Sequence, residues 1–174
     1  MNKKNKFFIK GRIKGFLWVF FFLVILWLLL SSTFHYQELW VGIVISFIIS
    51  LFAHEFYIEI GFPPVTPKRI GFFILYIFVL FYEIIRANFD VASRVIRPSL
   101  PINPGVVIIK TRLKSDIAKT ILANSITLTP GTFTLNIEED RLLIHWIDVK
   151  STDVETNTYI IGERFEKYLR IIFQ

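Results

Sequence analysis

From Gly15 to Gln37 the chain runs for 23 residues without a formal charge, as GFLWVFFFLVILWLLLSSTFHYQ. About 20 apolar residues cover the hydrocarbon core of a bilayer as a helix. This run therefore predicts a spanning segment, and everything after it must fold against or beside a membrane. The preceding MNKKNKFFIKGRIK holds six basic and no acidic residues, a basic tail over residues 1–14. A charged start before an apolar core is also the plan of a signal peptide. No small-x-small cleavage pattern follows, however, and a second uncharged run, Leu39–Ala53, comes almost at once. The first run is read as a retained helix that pairs with the second in an antiparallel hairpin through the short SSTFHYQE. Trp18, Trp27, Tyr36 and Trp40 suit interfacial anchoring.

GFPPVTP then breaks the chain, because clustered prolines remove backbone donors and clash with helical geometry. Beyond Lys68 and Arg69 lies a third uncharged run, Ile70–Tyr82, of only 13 residues. That length suits an interfacial, re-entrant or protein-packed segment as well as part of a span. Glu83, Arg86, Asp90, Arg94 and Arg97 follow at spacings of 3, 4, 4 and 3. On a helix they form one stripe of mixed sign, so the third helix is expected to reach about Ile96 and to leave the hydrocarbon near its middle. The expected organisation is two to three transmembrane or interfacial helices over 15–97, a linker over 98–105 and a small α+β domain over 106–174. Every Lys and Arg lies outside the Ser31–Glu38 loop. Two crossings would place all positive charge on the cytoplasmic side, as the positive-inside rule favours. A third would send Arg86 to Lys114 outward. The domain is therefore expected in the cytoplasm.

The domain reads βαββα. VVIIK is a short apolar strand, and Ser115 with Asp116 marks a helix start. Ile117, Ile121 and Leu122 share one side of that helix. TFTLNI alternates and pairs across EEDR with RLLIHWIDV. Ile161, Phe165, Tyr168, Leu169 and Ile172 recur at helical spacing to the end. A three-stranded sheet with two helices on one face would bury these positions.

Composition narrows the chemistry. The net charge is +6. Up to Lys119 there are 15 basic and 6 acidic residues, and from Thr120 on there are 5 and 8, so the two parts carry +9 and −3. The basic part is the membrane part, which favours anionic lipid over nucleic acid. With no cysteine, thiolate catalysis, disulfides and cysteine-held metals are ruled out. His35, His54 and His145 show no metal-ligand spacing, and His145 is expected partly packed on a strand. No cofactor or metal site is expected, and no enzyme.

Two features remain. NSITLTPGTFTL gathers Asn124, Ser125, Thr127, Thr129, Pro130, Gly131 and Thr132. It has too few glycines for a phosphate loop and no following lysine, and Ser125 lacks the G-x-S-x-G elbow of a serine nucleophile. A type II turn at Pro130-Gly131, with threonine hydroxyls satisfying backbone groups, explains it better. Glu83 is the other. An acid at membrane depth can relay protons or bind a cation, whereas the simpler reading pairs it with Arg86 at the headgroups.

LANSITLTPGTFTL followed by LLIHWIDV resembles the E-type subunit of the Mrp (Mnh) multisubunit Na+/H+ antiporters, and EIIRANFDVASRVIRPSLPINPG resembles the same family's segment between membrane and domain. The lysine-rich start is longer than the family pattern. The resemblance implies an accessory subunit in a prokaryotic plasma membrane, partnered by the larger antiporter subunits that carry the ion path. The rival expectation is a free-standing membrane-anchored protein acting at the lipid surface.

Overall fold

The computed structural model describes residues 3–60, 63 and 66–174, with side chains described at 13, 15–53, 63 and 66–174. Gly61, Phe62, Pro64 and Val65 of the proline break lie outside the described residues, as do the side chains of His54, Glu55, Glu59 and nearly all of the basic tail. The chain divides into two compact units, Met1–Phe62 and Pro63–Gln174.

The first unit is a helical hairpin of α1 (Lys3–Ser31) and α2 (Tyr36–Ile60). Its seam is built from small residues, as expected where lipid removes the hydrophobic drive and close backbone approach must supply the attraction. Gly42, Ser46 and Ser50 recur every four residues on α2, and Ser46 and Ser50 are buried. A Cβ at Gly42 would stand 2.3 Å from Cδ1 of Trp27. Glycine is what lets that indole lie flat on α2, where its Nε1–H donates to the Glu38 carbonyl at 3.1 Å. Trp27 is thus a packing residue of the seam as well as an aromatic of the run. Phe16 and Phe20 meet Phe47 edge-on, with ring centroids 5.5 and 6.4 Å apart. The Tyr36–Ala53 stretch is long and apolar enough to cross a membrane, and Gly15–Ser31 adds a shorter apolar stretch.

The second unit begins with α3 (Pro67–Ile96), capped by Thr66, whose Oγ1 accepts from Arg69 N at 3.3 Å, with Pro67 in the first turn. There follow β1 (Gly105–Lys110), α4 (Asp116–Leu128), β2 (Thr132–Glu138), β3 (Arg141–Trp146), a short α5 (Val154–Asn157), a π turn (Thr158–Gly162) and α6 (Glu163–Phe173). The sheet is antiparallel in the order β1-β3-β2, with a bulge between Thr134 and Asn136. This is a membrane-type protein carrying a small α+β domain. Ser115 occupies the cap position of α4, but its side chain makes no capping bond.

Val107 and Ile109 of β1 and Leu142 and Ile144 of β3 point inward, against Leu122 and Ile126 of α4 and Phe165, Leu169 and Ile172 of α6. Because residues alternate across a strand, His145 falls on the opposite face and is exposed. The expectation that its ring is partly packed is corrected. Glu166 is buried but accepts from Thr111 Oγ1 at 2.9 Å and Arg112 N at 2.8 Å. It thereby pins the loop after β1. Tyr76 of α3 is part of the same core, with Phe72 and Leu80 packed against it. α3 is thus the outermost layer of this unit, and its contact with α6 runs through that face.

Candidate functional site

Phe72, Tyr76, Leu80, Glu83, Ala87, Asp90 and Arg94 recur on α3 at spacings of four and three. At about 100° per residue all lie within about 40° of Tyr76. Their apolar members seal the core, and their charged members line a cleft of about 250 Å³ between α3, the Thr129–Thr132 turn, the end of β3 and α6. Glu83 is buried and accepts from Nη1 of Arg164 at 2.8 Å, while Arg86 stands 3.8 Å away. The expected Arg86 partner is therefore secondary. The main one comes from α6, 81 residues on, because this side of α3 faces the domain. Burial pushes the Arg164 guanidinium down and Glu83 opposes that shift. An arginine stays charged under such a balance.

Arg94 joins the helix end to the sheet. Its Nε donates to Asp90 at 2.8 Å, and its Nη1 donates to Asp148 at 2.6 Å and to the Pro101 carbonyl at 2.8 Å. Lys150 also bonds Asp148. Asn103 N donates to the Ile147 carbonyl at 3.0 Å and Val149 N to the Asn103 carbonyl at 2.8 Å, so the segment after α3 is tied to the strand end. The Lys150 and Arg94 charges hold the Asp148 carboxyl below the ordinary carboxylate range, and burial opposes them. A depressed carboxyl contributes stability that is present above its unfolded pKa, about 3.9, and is lost as pH falls through the lower folded value. Asp148→Asn should therefore lower the melting temperature at neutral pH and flatten its fall below about pH 4. Melting curves from pH 7 to pH 2 check this, and a variant as acid-sensitive as the parent would refute it.

The NSITLTPGT residues divide by role. Asn124 to Leu128 end α4. Ser125 is buried; its hydroxyl donates to the Ile121 carbonyl at 2.6 Å and meets the Tyr76 hydroxyl. With the single serine proton committed, Tyr76 donates to Ser125. Thr129 Oγ1 donates to the Ser125 carbonyl at 2.8 Å, Thr132 Oγ1 to the Ile126 carbonyl at 2.6 Å, and Thr127 Oγ1 accepts from Thr134 N at 3.1 Å. Thr132 N closes a turn on the Thr129 carbonyl at 3.2 Å, with Gly131 at φ +92°. That φ favours glycine, and a Cβ there would meet Ile147 at 2.9 Å and Val91 of α3 at 3.5 Å. These residues lie under α3, with Ser125 and Gly131 meeting it directly. Asn124 is exposed. Sequence reasoning missed Tyr76, Asp148, Lys150 and Arg164. The one available signal was the Tyr76 hydroxyl inside an apolar run.

Chemically the cleft is closed on itself: the carboxylates of Glu83, Asp90 and Asp148 are each engaged by a basic side chain. Among the described residues, no group of three or more His, Asp or Glu side chains is placed to hold a metal ion.

The sequence profile of a family described as Na+/H+ ion antiporter subunit (MNHE) matches residues 20–172. The Na(+)/H(+) antiporter subunit E1 of Staphylococcus aureus (strain bovine RF122 / ET3-1) is 31% identical over 157 residues, 86% of this chain and 92% of that protein. The same protein of strain JH9 is 30% identical over the same lengths. A chain in the solved structure of the membrane-bound sulfane sulfur reductase, an archaeal respiratory membrane complex, superposes with a TM-score of 0.81 at 46% identity. That superposition covers 91% of this chain and 99% of the other. The chain belongs to the Na+/H+ ion antiporter subunit family. Within it, the chain is an E-type subunit of the Mrp kind, in keeping with its NSITLTPGT and LLIHWIDV segments.

Proposed function

We propose that this chain is an accessory membrane subunit of a multisubunit cation/proton antiporter, supporting its assembly or activity while larger subunits carry the ion path. The observation that carries this reading is the state of Glu83. The acid best placed for ion handling is buried against the domain and engaged by Arg164 and Arg86. A carboxylate neutralised in this way is a fastener, not a relay. The partners are the other antiporter subunits and membrane lipid. The location is the plasma membrane of a prokaryote, with α1 and α2 crossing and the domain on the cytoplasmic side, as the distribution of Lys and Arg favours.

The test is co-purification of the tagged chain in mild detergent, followed by antiport assays on the reconstituted complex. Large multi-span subunits should co-purify, and Glu83→Gln should leave the transport rate within about twofold at equal assembly, since loss of an essential group costs far more than the factor of ten that accompanies 1.4 kcal/mol. Collapse of transport in a fully assembled variant would place Glu83 on the ion path. A stable lone chain with its own lipid-surface activity would favour the free-standing reading.

One observation supports a second form of the proposal. Identity to the chain of the archaeal respiratory complex is 46%, against 31% for a staphylococcal antiporter subunit. The antiporter module served by this chain would then be joined to redox subunits. Reductase subunits in the co-purified material would establish that form, and their absence would leave a stand-alone antiporter.

A further inference from the structure

α3 is long and apolar enough to cross a bilayer, yet its surroundings argue against crossing. From Phe72 to Arg94, about 33 Å of helix at 1.5 Å per residue, one face is covered by the domain through Tyr76, Glu83 and Arg94. The covering helix α6 carries Glu163, Arg164, Lys167 and Arg170. If α3 stood across the membrane, these charges would be carried into hydrocarbon beside it, where they have no water.

The opposite face of α3 is of another kind. Ile74, Phe78, Phe81, Ile85 and Phe89 are all exposed, at 41 to 74%. The charges of α3 from Ile70 to Ile96 are Glu83, Arg86, Asp90 and Arg94. Three of them lie on the domain side, and Arg86 lies on the flank, about 80° from Tyr76. Lys68 projects on that same flank by the same count, and both cations are exposed. An uncharged aromatic and aliphatic strip edged by cations is the pattern of a helix lying in the plane of an anionic membrane surface. The sequence ties it there, because Pro67 follows α2 by only six intervening residues.

We infer that α3 lies flat in the headgroup–acyl boundary, strip down, and seats the α+β domain on the bilayer surface, with anionic lipid along the Lys68–Arg86 flank. The stripe of charge beyond Tyr82 then marks the side turned to the domain, not the depth at which the helix leaves the membrane. This inference rests on the membrane-subunit reading above but is tested separately.

The chain has no cysteine, so a single introduced one is unique. The full chain with Ile74→Cys, Phe78→Cys, Phe81→Cys, Ile85→Cys or Phe89→Cys is nitroxide-labelled in phosphatidylethanolamine–phosphatidylglycerol vesicles. Depth is read from oxygen against nickel-chelate accessibility, with Arg86→Cys as the flank control. All five labels should sit at one shallow depth, about 5–10 Å below the headgroups, and the control at the water boundary. A depth changing by about 22 Å between positions 74 and 89 would mean a spanning helix and overturn the inference. So would labels lying in water, or labels shielded from both probes in the co-purified complex, which would assign the strip to a partner subunit. A spanning profile in a chain that still assembles defeats only this inference. A shallow profile in a chain that captures no antiporter subunits defeats only the function proposed above.

Discussion

Replacing Gly42 with alanine should open the α1–α2 hairpin. The new Cβ would stand 2.3 Å from Cδ1 and 2.6 Å from Nε1 of Trp27, far inside contact distance. α2 cannot yield locally, because Ser46 and Ser50 are buried on the same seam one and two turns on. The indole must swing away and give up its bond to the Glu38 carbonyl. Overpacking of this kind costs about 1–3 kcal/mol, and the lost hydrogen bond adds about 1 kcal/mol. Cross-linking of a Phe16→Cys, Phe47→Cys pair in membranes with a short bifunctional thiol reagent reports the seam, since those rings meet in the parent. The ratio of closed to open hairpin should fall at least tenfold in Gly42→Ala, as about 1.4 kcal/mol or more requires, so cross-linking should slow, and Trp27→Leu should restore much of it. An unchanged rate would show that the indole contact does not hold the hairpin.

The second large effect lies in the domain. Phe165 is fully buried among β1, β3 and α4 residues, and Arg164 stacks its guanidinium 5.1 Å from the ring centroid. Phe165→Ala leaves a cavity where three layers meet and should cost about 3–5 kcal/mol. A small domain holds about 5–15 kcal/mol in all, so the melting temperature should drop by about 10–20 °C. Trp146 is the one tryptophan in residues 63–174, and it packs against the core, so its fluorescence follows this unit. A shift of only a few degrees would mean that the aromatic ring is not the centre of the fold.

Much of this architecture could be read from residue order. Uncharged runs located the hairpin, alternation located β2, pairing across EEDR located β3, and the stripe from Glu83 to Arg97 carried α3 to Ile96, where it ends. What escaped was of two kinds. The end of α4 was one, since the apolar spacing places Ile117, Ile121 and Leu122 on the helix and leaves NSITL unassigned, whereas α4 continues through Leu128. There the side chains bond back to their own helix or to β2, which satisfies them without unwinding it. Long-range pairing was invisible in principle. Arg164 to Glu83, Arg94 to Asp148 and Tyr76 to Ser125 join residues 49 to 81 apart, and nothing in their immediate neighbourhoods marks them as partners. The cleft was therefore legible as ingredients but not as an assembly.

The π turn at Thr158–Gly162 has a consequence for tolerance to insertion and deletion. A π turn is a helix holding one residue more than its α-helical path needs. Here the surplus acts as a phase adjuster: Asn157 before it and Phe165, Glu166 and Leu169 after it all face inward. Gly162 rests where a Cβ would be 3.4 Å from Ile109. Straightening the turn into a plain α-helix with every residue kept would rotate everything downstream by about 100°. That would aim Arg164 away from Glu83 and expose the ring that anchors the core. Removing one residue from the turn, by contrast, lets a plain helix run through with Phe165, Glu166 and Leu169 still on the face of Asn157, so this is the place where the C-terminal helix can lose a residue and keep its grip on the core.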